Sequence, residues 1–198
     1  MPKQKHSAVQ LRTKHKKVCP VDNANALPGF LLLNSICVKK FLIIPVFLII
    51  FSQYSFSQDF LPADQNTLDS IREANIGNVL VFNMWAYWCA PCKEEFPELV
   101  KLYNNYKDKG VKLIFVSLDF PETFETQTIP FLKEQGVDFT TYYNNFEKDE
   151  QLINYMDINW EGGLPGTFMY NKDGKLSVTM VGARTYDVFE ESVQKLLD

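Results

Sequence analysis

Histidine is almost missing from this 198-residue chain: the two present, His6 and His15, both lie in its first 57 residues. If that stretch is absent from the working protein, Ser-His-Asp and Cys-His catalysis and His-ligated metal sites are excluded. Cysteine is nearly as scarce. Cys19 and Cys37 belong to the same stretch, so the remainder holds only Cys89 and Cys92. A Cys-x-x-Cys pair can be half of a zinc site, but no further Cys or His is left to complete one. Basic charge is also short beyond residue 57, where 12 Lys and Arg stand against 23 Asp and Glu, a net charge of −11. Such an acidic body repels a phosphate backbone and disfavours nucleic acid as a partner. There is no internal repeat and no low-complexity segment, and 46% hydrophobic with 22% charged residues suits one ordinary globular domain.

Residues 1–57 have the opposite character, with 8 basic residues against 1 acidic. Lys39 and Lys40 precede eleven apolar residues, Phe41–Phe51, and then the polar, small-residue stretch Ser52–Ser57. That is the three-part pattern of a secretory signal. As a helix the apolar run would rise about 16 Å against about 30 Å of hydrocarbon, which is short for a permanent span. The competing reading is an uncleaved anchor extended upstream through Phe30–Val38, which would place Lys39 and Lys40 in hydrocarbon at about 2.5–3.5 kcal/mol each near the centre. Ser55 and Ser57 supply the small residues a signal peptidase requires. The expectation is therefore a leader over residues 1–57 and a domain over 58–198, exported to the periplasm or cell envelope, either free or anchored through residues 41–51. Because 38 residues precede Lys39, a start at Val38, encoded as GTG, would leave Met1–Cys37 untranslated.

In the body, Thr67–Ala74 reads as a brief helix ended near Gly77, and Val79–Trp85 as a strand buried on both faces. From about Cys89 to Lys107, Phe96, Leu99, Val100 and Tyr103 recur at helical spacing. Glu94 and Glu95 are placed in its first turn, and Lys107, Lys109 and Gly110 at its end. Pro91 suits the start; Pro97 removes an interior hydrogen bond and should kink the helix. Val111–Leu118 is a second buried strand, so the unit predicts a parallel pair and an α/β fold. A helix around Ile129–Gln135, a strand around Phe139–Tyr143 and a helix around Lys148–Met156 follow. Thr167–Tyr170 and Leu176–Val181 flank a hairpin turn at Asn171–Lys175, and a closing helix carries Phe189, Val193, Leu196 and Leu197.

Cys89 and Cys92 thus fall where a buried strand ends and a helix begins. A structural disulfide closing so small a loop removes little unfolded-state entropy. Free N–H groups and the helix dipole at that point stabilise a thiolate, the attacking species in disulfide exchange, so the placement predicts redox activity. Trp88 sits at the strand's exposed end beside Cys89, whereas Trp85 reads as core. Glu95 lies one turn after Cys92, where its carboxylate can manage that thiol's proton or simply favour the helix dipole. Trp160 reads equally as groove or core.

The run Val79-Leu-Val-Phe-Asn-Met-Trp-Ala-Tyr-Trp-Cys-Ala-Pro-Cys-Lys93 resembles the active-site strand of thioredoxins. Asn83, Glu95 and Pro97 make it similar to the TlpA/ResA-like branch of exported thiol-disulfide oxidoreductases. A second anchor is Gly163-Leu-Pro-Gly-Thr-Phe168, 73 residues from Cys92 to Pro165, and the resemblance covers about Leu61–Asp198. It implies a thioredoxin-like fold, α/β with a central mixed sheet flanked by helices and an inserted strand-helix unit between the Cys-x-x-Cys helix and a cis-proline loop. It also implies Cys89, Cys92 and Glu95 as catalytic residues, Trp88, Pro91, Leu164 and Pro165 as substrate-binding, and Asn83 and Trp85 as structural neighbours. Pro165 would be the cis-proline facing the dithiol, and Asn83 stands where thioredoxins carry a buried Asp. No cofactor and no metal beyond the redox-active Cys89–Cys92 disulfide is expected. The implied partners are client proteins with thiols or disulfides and an upstream membrane electron donor, for a monomer serving cytochrome c maturation or envelope redox balance.

Two relatives of the scaffold are less well matched. Peroxiredoxins need Thr three residues before the nucleophile, where this chain has Ala86 or Cys89, and copper-delivery proteins use a wider cysteine spacing and a distant His. No hairpin is evident before Leu80, which leaves the amino-terminal topology open. The rival of a different class is a non-catalytic thioredoxin-like binding module of an envelope complex.

Overall fold

The computed structural model describes residues 59–198, so the leader, the signal or anchor, the cleavage point and the alternative start all lie outside the described residues. Among the described residues no helix is long and apolar enough to cross a membrane. Six strands form one mixed sheet: β1 (Phe60–Ala63), β2 (Val79–Trp85), β3 (Val111–Ser117), β4 (Thr141–Asn144), β5 (Gly166–Tyr170) and β6 (Leu176–Val181), in the order β1-β4-β3-β2-β5-β6. β2 and β3 run parallel, as the strand-helix-strand pattern predicts, and β5 lies antiparallel to both β2 and β6. The open amino-terminal topology resolves without a hairpin. β1 is an edge strand parallel to β4, a pairing that joins residues about 80 apart and leaves no local signature.

The helices are α1 (Gln65–Ala74), α2 (Ala90–Tyr106), α3 (Ile129–Glu134), α4 (Asp149–Met156) and α5 (Tyr186–Leu197). α1 starts two residues before Thr67, because Asp64 caps it by accepting the Thr67 N–H. β4 begins at Thr141 rather than Phe139, whose ring instead packs on Tyr103 of α2. A π-type turn, Phe124–Thr128, leads into α3. The β5–β6 turn falls at Asn171–Lys175 as expected, with the Asn171 carboxamide oxygen accepting the N–H groups of Asp173 and Lys175.

Alternation along β2 decides what lies on each face. Val79, Val81 and Trp85 point to one side and pack with Phe96, Leu99, Phe115, Phe131 and Phe189. Leu80, Phe82 and Met84 point to the other and pack with Leu68, Leu152, Met156, Trp160 and Phe168. Asn83 shares the odd-numbered face, beneath α2, and this register sets up the site.

Candidate active site

α2 begins at Ala90, and its cap is a sulfur: Cys89 has extended backbone angles (φ −86°, ψ 102°) and its Sγ accepts the Cys92 N–H at 3.2 Å. Cys89 and Cys92 are joined as a disulfide, with their Cα atoms 5.2 Å apart. Counted from this cap the first turn is complete before Glu94, so Glu94 and Glu95 fall after it rather than within it, and Lys107 and Lys109 belong to a following 3₁₀ turn closed by Gly110 at φ 86°. Dipole compensation is therefore a poor account of Glu95. Cys89 is 5% exposed and Cys92 1%, so the two sulfurs differ little in access in the disulfide form. The contrast lies instead in the donor at Cys89.

Glu95 is buried, and its carboxylate is held from two sides. Asn83 Nδ2 donates to Oε1 at 2.9 Å and also to Thr167 Oγ1 at 2.9 Å, while the Arg184 backbone N–H donates to Oε2 at 2.8 Å. Burial pushes the carboxyl up from its ordinary 4.5 to about 7, against the opposing pull of the Arg184 and Asn83 donors. The folded protein therefore keeps this proton between pH 4.5 and about 7 while the unfolded chain releases it, so stability falls as pH rises through that window. In the disulfide form, where neither thiol titrates, melting temperatures taken across these pH values should show that decline, and Glu95→Gln should flatten it. Equal slopes in the two proteins would show that the carboxyl is not protonated in the fold.

The loop between β2 and α2 is tied to the next strand by Asp119, a buried residue absent from the sequence-based candidates. Its Oδ1 accepts the Tyr87 N–H at 2.8 Å, and its Oδ2 accepts the Ser117 and Thr128 hydroxyls, each at 2.8 Å. The backbone bond from Leu118 N–H to Trp85 O, 2.8 Å, runs alongside. Trp88, next to this anchor, is 60% exposed, and Phe120, next to Asp119, is 64% exposed. Trp85 is core, as expected, and Pro91 is exposed in the first turn of α2. Lys93 lies over the Tyr87 ring at 4.5 Å.

On the neighbouring loop the Leu164–Pro165 bond is cis, Leu164 is half-buried, and the Pro165 carbonyl accepts the Gly182 N–H at 2.8 Å. Trp160 resolves as core. Its ring meets Phe168 edge-on at 5.0 Å and its Nε1 donates to the Gly163 carbonyl at 2.9 Å, pinning this loop from below. A Cβ at Gly166 would sit 3.1 Å from that ring, so glycine allows the close approach. The fold thus brings Asn83, Glu95 and Thr167 together beneath α2, with the dithiol at the helix start. Asp119 and Arg184 were legible in no motif, since each acts through contacts between separate loops.

Residues 58–179 match the AhpC/TSA family. The chain is 33% identical over 120 residues to the thiol-disulfide oxidoreductase ResA of Bacillus cereus (strain ZK / E33L), covering 61% of this chain and 64% of that protein. It is 29% identical over 115 residues to ResA of Bacillus subtilis (strain 168), covering 58% and 59%. The matches thus span less than two thirds of those relatives' length. Among solved structures, a thiol:disulfide interchange protein of the thioredoxin family from Chlorobium tepidum TLS superposes with a TM-score of 0.54 at 22% identity, over 64% of this chain and 84% of that one. That likeness establishes the thioredoxin-like fold expected from the two anchors. On the match over residues 58–179, more than half its length, the chain belongs to the AhpC/TSA family.

Proposed function

We propose that this chain is an exported thiol-disulfide oxidoreductase that reduces or exchanges disulfides of envelope proteins through Cys89 and Cys92. The observation that carries the reading is the Cys89–Cys92 disulfide at the start of α2, with a backbone N–H already donated to Cys89 Sγ. The similarity to ResA supports the same chemistry. In the reducing direction the Cys89 thiolate attacks one sulfur of a client disulfide. The client S–S bond breaks, a mixed disulfide forms and one client thiolate leaves. Cys92 then gives up its proton and attacks Cys89 Sγ, which expels the second client thiol and leaves the Cys89–Cys92 disulfide. Two electrons have passed to the client, and a dithiol donor at the membrane returns them.

Glu95, one turn from Cys92 and with an affinity near neutrality, is the acceptor for the Cys92 proton. Both of its present partners are donors, so each oxygen keeps room for a further hydrogen bond. Trp88, Pro91, Leu164 and Pro165 form the surface that meets the client chain, with Asn83 and Trp85 supporting it. The remaining parts of the reading are a leader over residues 1–57 that directs export to the periplasm or envelope, a monomeric state, and service in cytochrome c maturation or envelope redox balance.

Insulin reduction driven by a small dithiol tests the chemistry. The dithiol protein should turn over and Cys89→Ser should abolish the catalysed rate. Absence of turnover with every reductant tried would favour the non-catalytic binding module.

A further inference from the structure

The turn joining β6 to α5 carries Arg184, a half-buried cation whose guanidinium makes no use of the nearby carboxylate. It folds back on its own segment instead. Nη1 donates to the carbonyls of Gly182 and Ala183 at 3.0 and 2.9 Å, and Nη2 donates to that of Val181 at 3.0 Å. Three carbonyls are thereby gathered by one planar fork, a geometry that an ammonium cannot reproduce. Two backbone donors of the same turn reach outward: the Gly182 N–H to the Pro165 carbonyl and the Arg184 N–H to Glu95 Oε2, both at 2.8 Å. The same turn forms one wall of an open cleft of about 260 Å³, lined by Glu94, Glu95, Glu98, Ala183, Arg184 and Thr185.

We propose that Arg184 is a positioning residue for the proton of Glu95: by locking the Val181–Arg184 turn, its side chain aims its own backbone N–H at the carboxylate. The groups facing Glu95 make that donor decisive. From β2 and β5 come the neutral Asn83 and Thr167, and from α2 come Cys92 one turn before and the acidic Glu94 and Glu98 along the cleft. Arg184 is the one cation among those groups. Its N–H favours the ionised carboxylate, and the cleft lets the proton exchange with solvent on the side away from the Asn83 contact. Because Gly182 in the same locked turn holds the Pro165 carbonyl, a client seated on the Pro165 loop and the proton on Glu95 share one short, rigid segment. That this proton serves Cys92 rests on the function proposed above; the aim of the donor does not.

The test is a carbon-13 NMR titration of the Glu95 carboxyl in the disulfide form of the full chain, for the wild type, Arg184→Ala and Arg184→Lys. Losing the fork should raise the Glu95 midpoint by about one pH unit in Arg184→Ala. Arg184→Lys keeps the charge without the fork and should retain more than half of that rise; it carries the measurement alone if the Ala variant does not fold. An unmoved midpoint in Arg184→Ala, or full restoration by Lys, would overturn the proposal, the second because charge alone would then suffice. The underlying functional reading fails differently. If Glu95→Gln leaves the pH dependence of insulin reduction unchanged, Glu95 does not serve Cys92, whatever the titration of its carboxyl shows.

Discussion

Replacing Cys92 by Ala is expected to turn the protein into a covalent trap that accumulates mixed disulfides with its clients through Cys89. The Cys92 N–H already points at Cys89 Sγ from 3.2 Å, and free N–H groups at a helix start lower a thiol's pKa. Cys92 lies one turn inside the helix, among Phe96 and its neighbours, away from the helix-start N–H donor that favours a thiolate at Cys89. Each unit of separation between the two thiols changes their relative thiolate fraction about tenfold. Attack by Cys89 therefore survives the substitution, while the step that resolves the adduct is lost. Adducts should dissolve on adding dithiothreitol, and Cys89→Ala should yield at least about tenfold fewer. Preferential alkylation of Cys92 at mildly acidic pH, or adducts confined to the Cys89 variant, would reverse the assignment.

Phe96→Ala should be the most damaging core substitution near the site, lowering stability by about 3–5 kcal/mol. Phe96 is fully buried, stacks on Phe115 with ring centroids 4.0 Å apart, and meets Trp85 and Phe131 edge-on at 4.8 and 5.1 Å. These rings bind α2 to β2, β3 and α3, so truncation leaves a cavity that no single neighbour can fill. Against a total stability of about 5–15 kcal/mol that is a large fraction. The melting temperature should fall by roughly 10–20 °C, with a smaller fall for Phe96→Leu. A loss below about 1 kcal/mol by denaturant unfolding would show that the helix is held mainly elsewhere.

The parts of this protein written in short stretches of sequence were legible there. Val79–Trp85 has the uninterrupted apolar run of a strand covered on both faces, and all seven of its residues are buried. The Asn171–Lys175 turn announces itself because the Asn171 side chain closes it over two to four residues. The Cys-x-x-Cys pair marks the junction of strand and helix for the same local reason. Where one residue was misjudged, a neighbour's capping decided it. Cys89 caps α2, so the first turn ends before Glu94 and Glu95, and Asp64 starts α1 earlier than its apolar spacing suggests.

What the sequence alone determined, then, is the dithiol, its seat at a helix start and the α/β order around it, since strand and helix periodicity and helix capping act over a few residues. The environment of Glu95 belongs to the tertiary structure. Its partners Asn83 and Arg184 lie 12 and 89 residues away, Asn83 reaches Thr167 across 84 residues, and Tyr87 finds Asp119 across 32. None of these spacings follows a helical or strand period, so no pattern in the chain foretells them. They arise because β2 pairs with β5 on one side and with β3 on the other, and this register places Asn83 under α2 and the β6–α5 turn over Glu95. A carboxyl that would ionise at 4.5 in water is carried to about 7 by the burial that only the closed fold provides, against the two donors that the same fold aims at it.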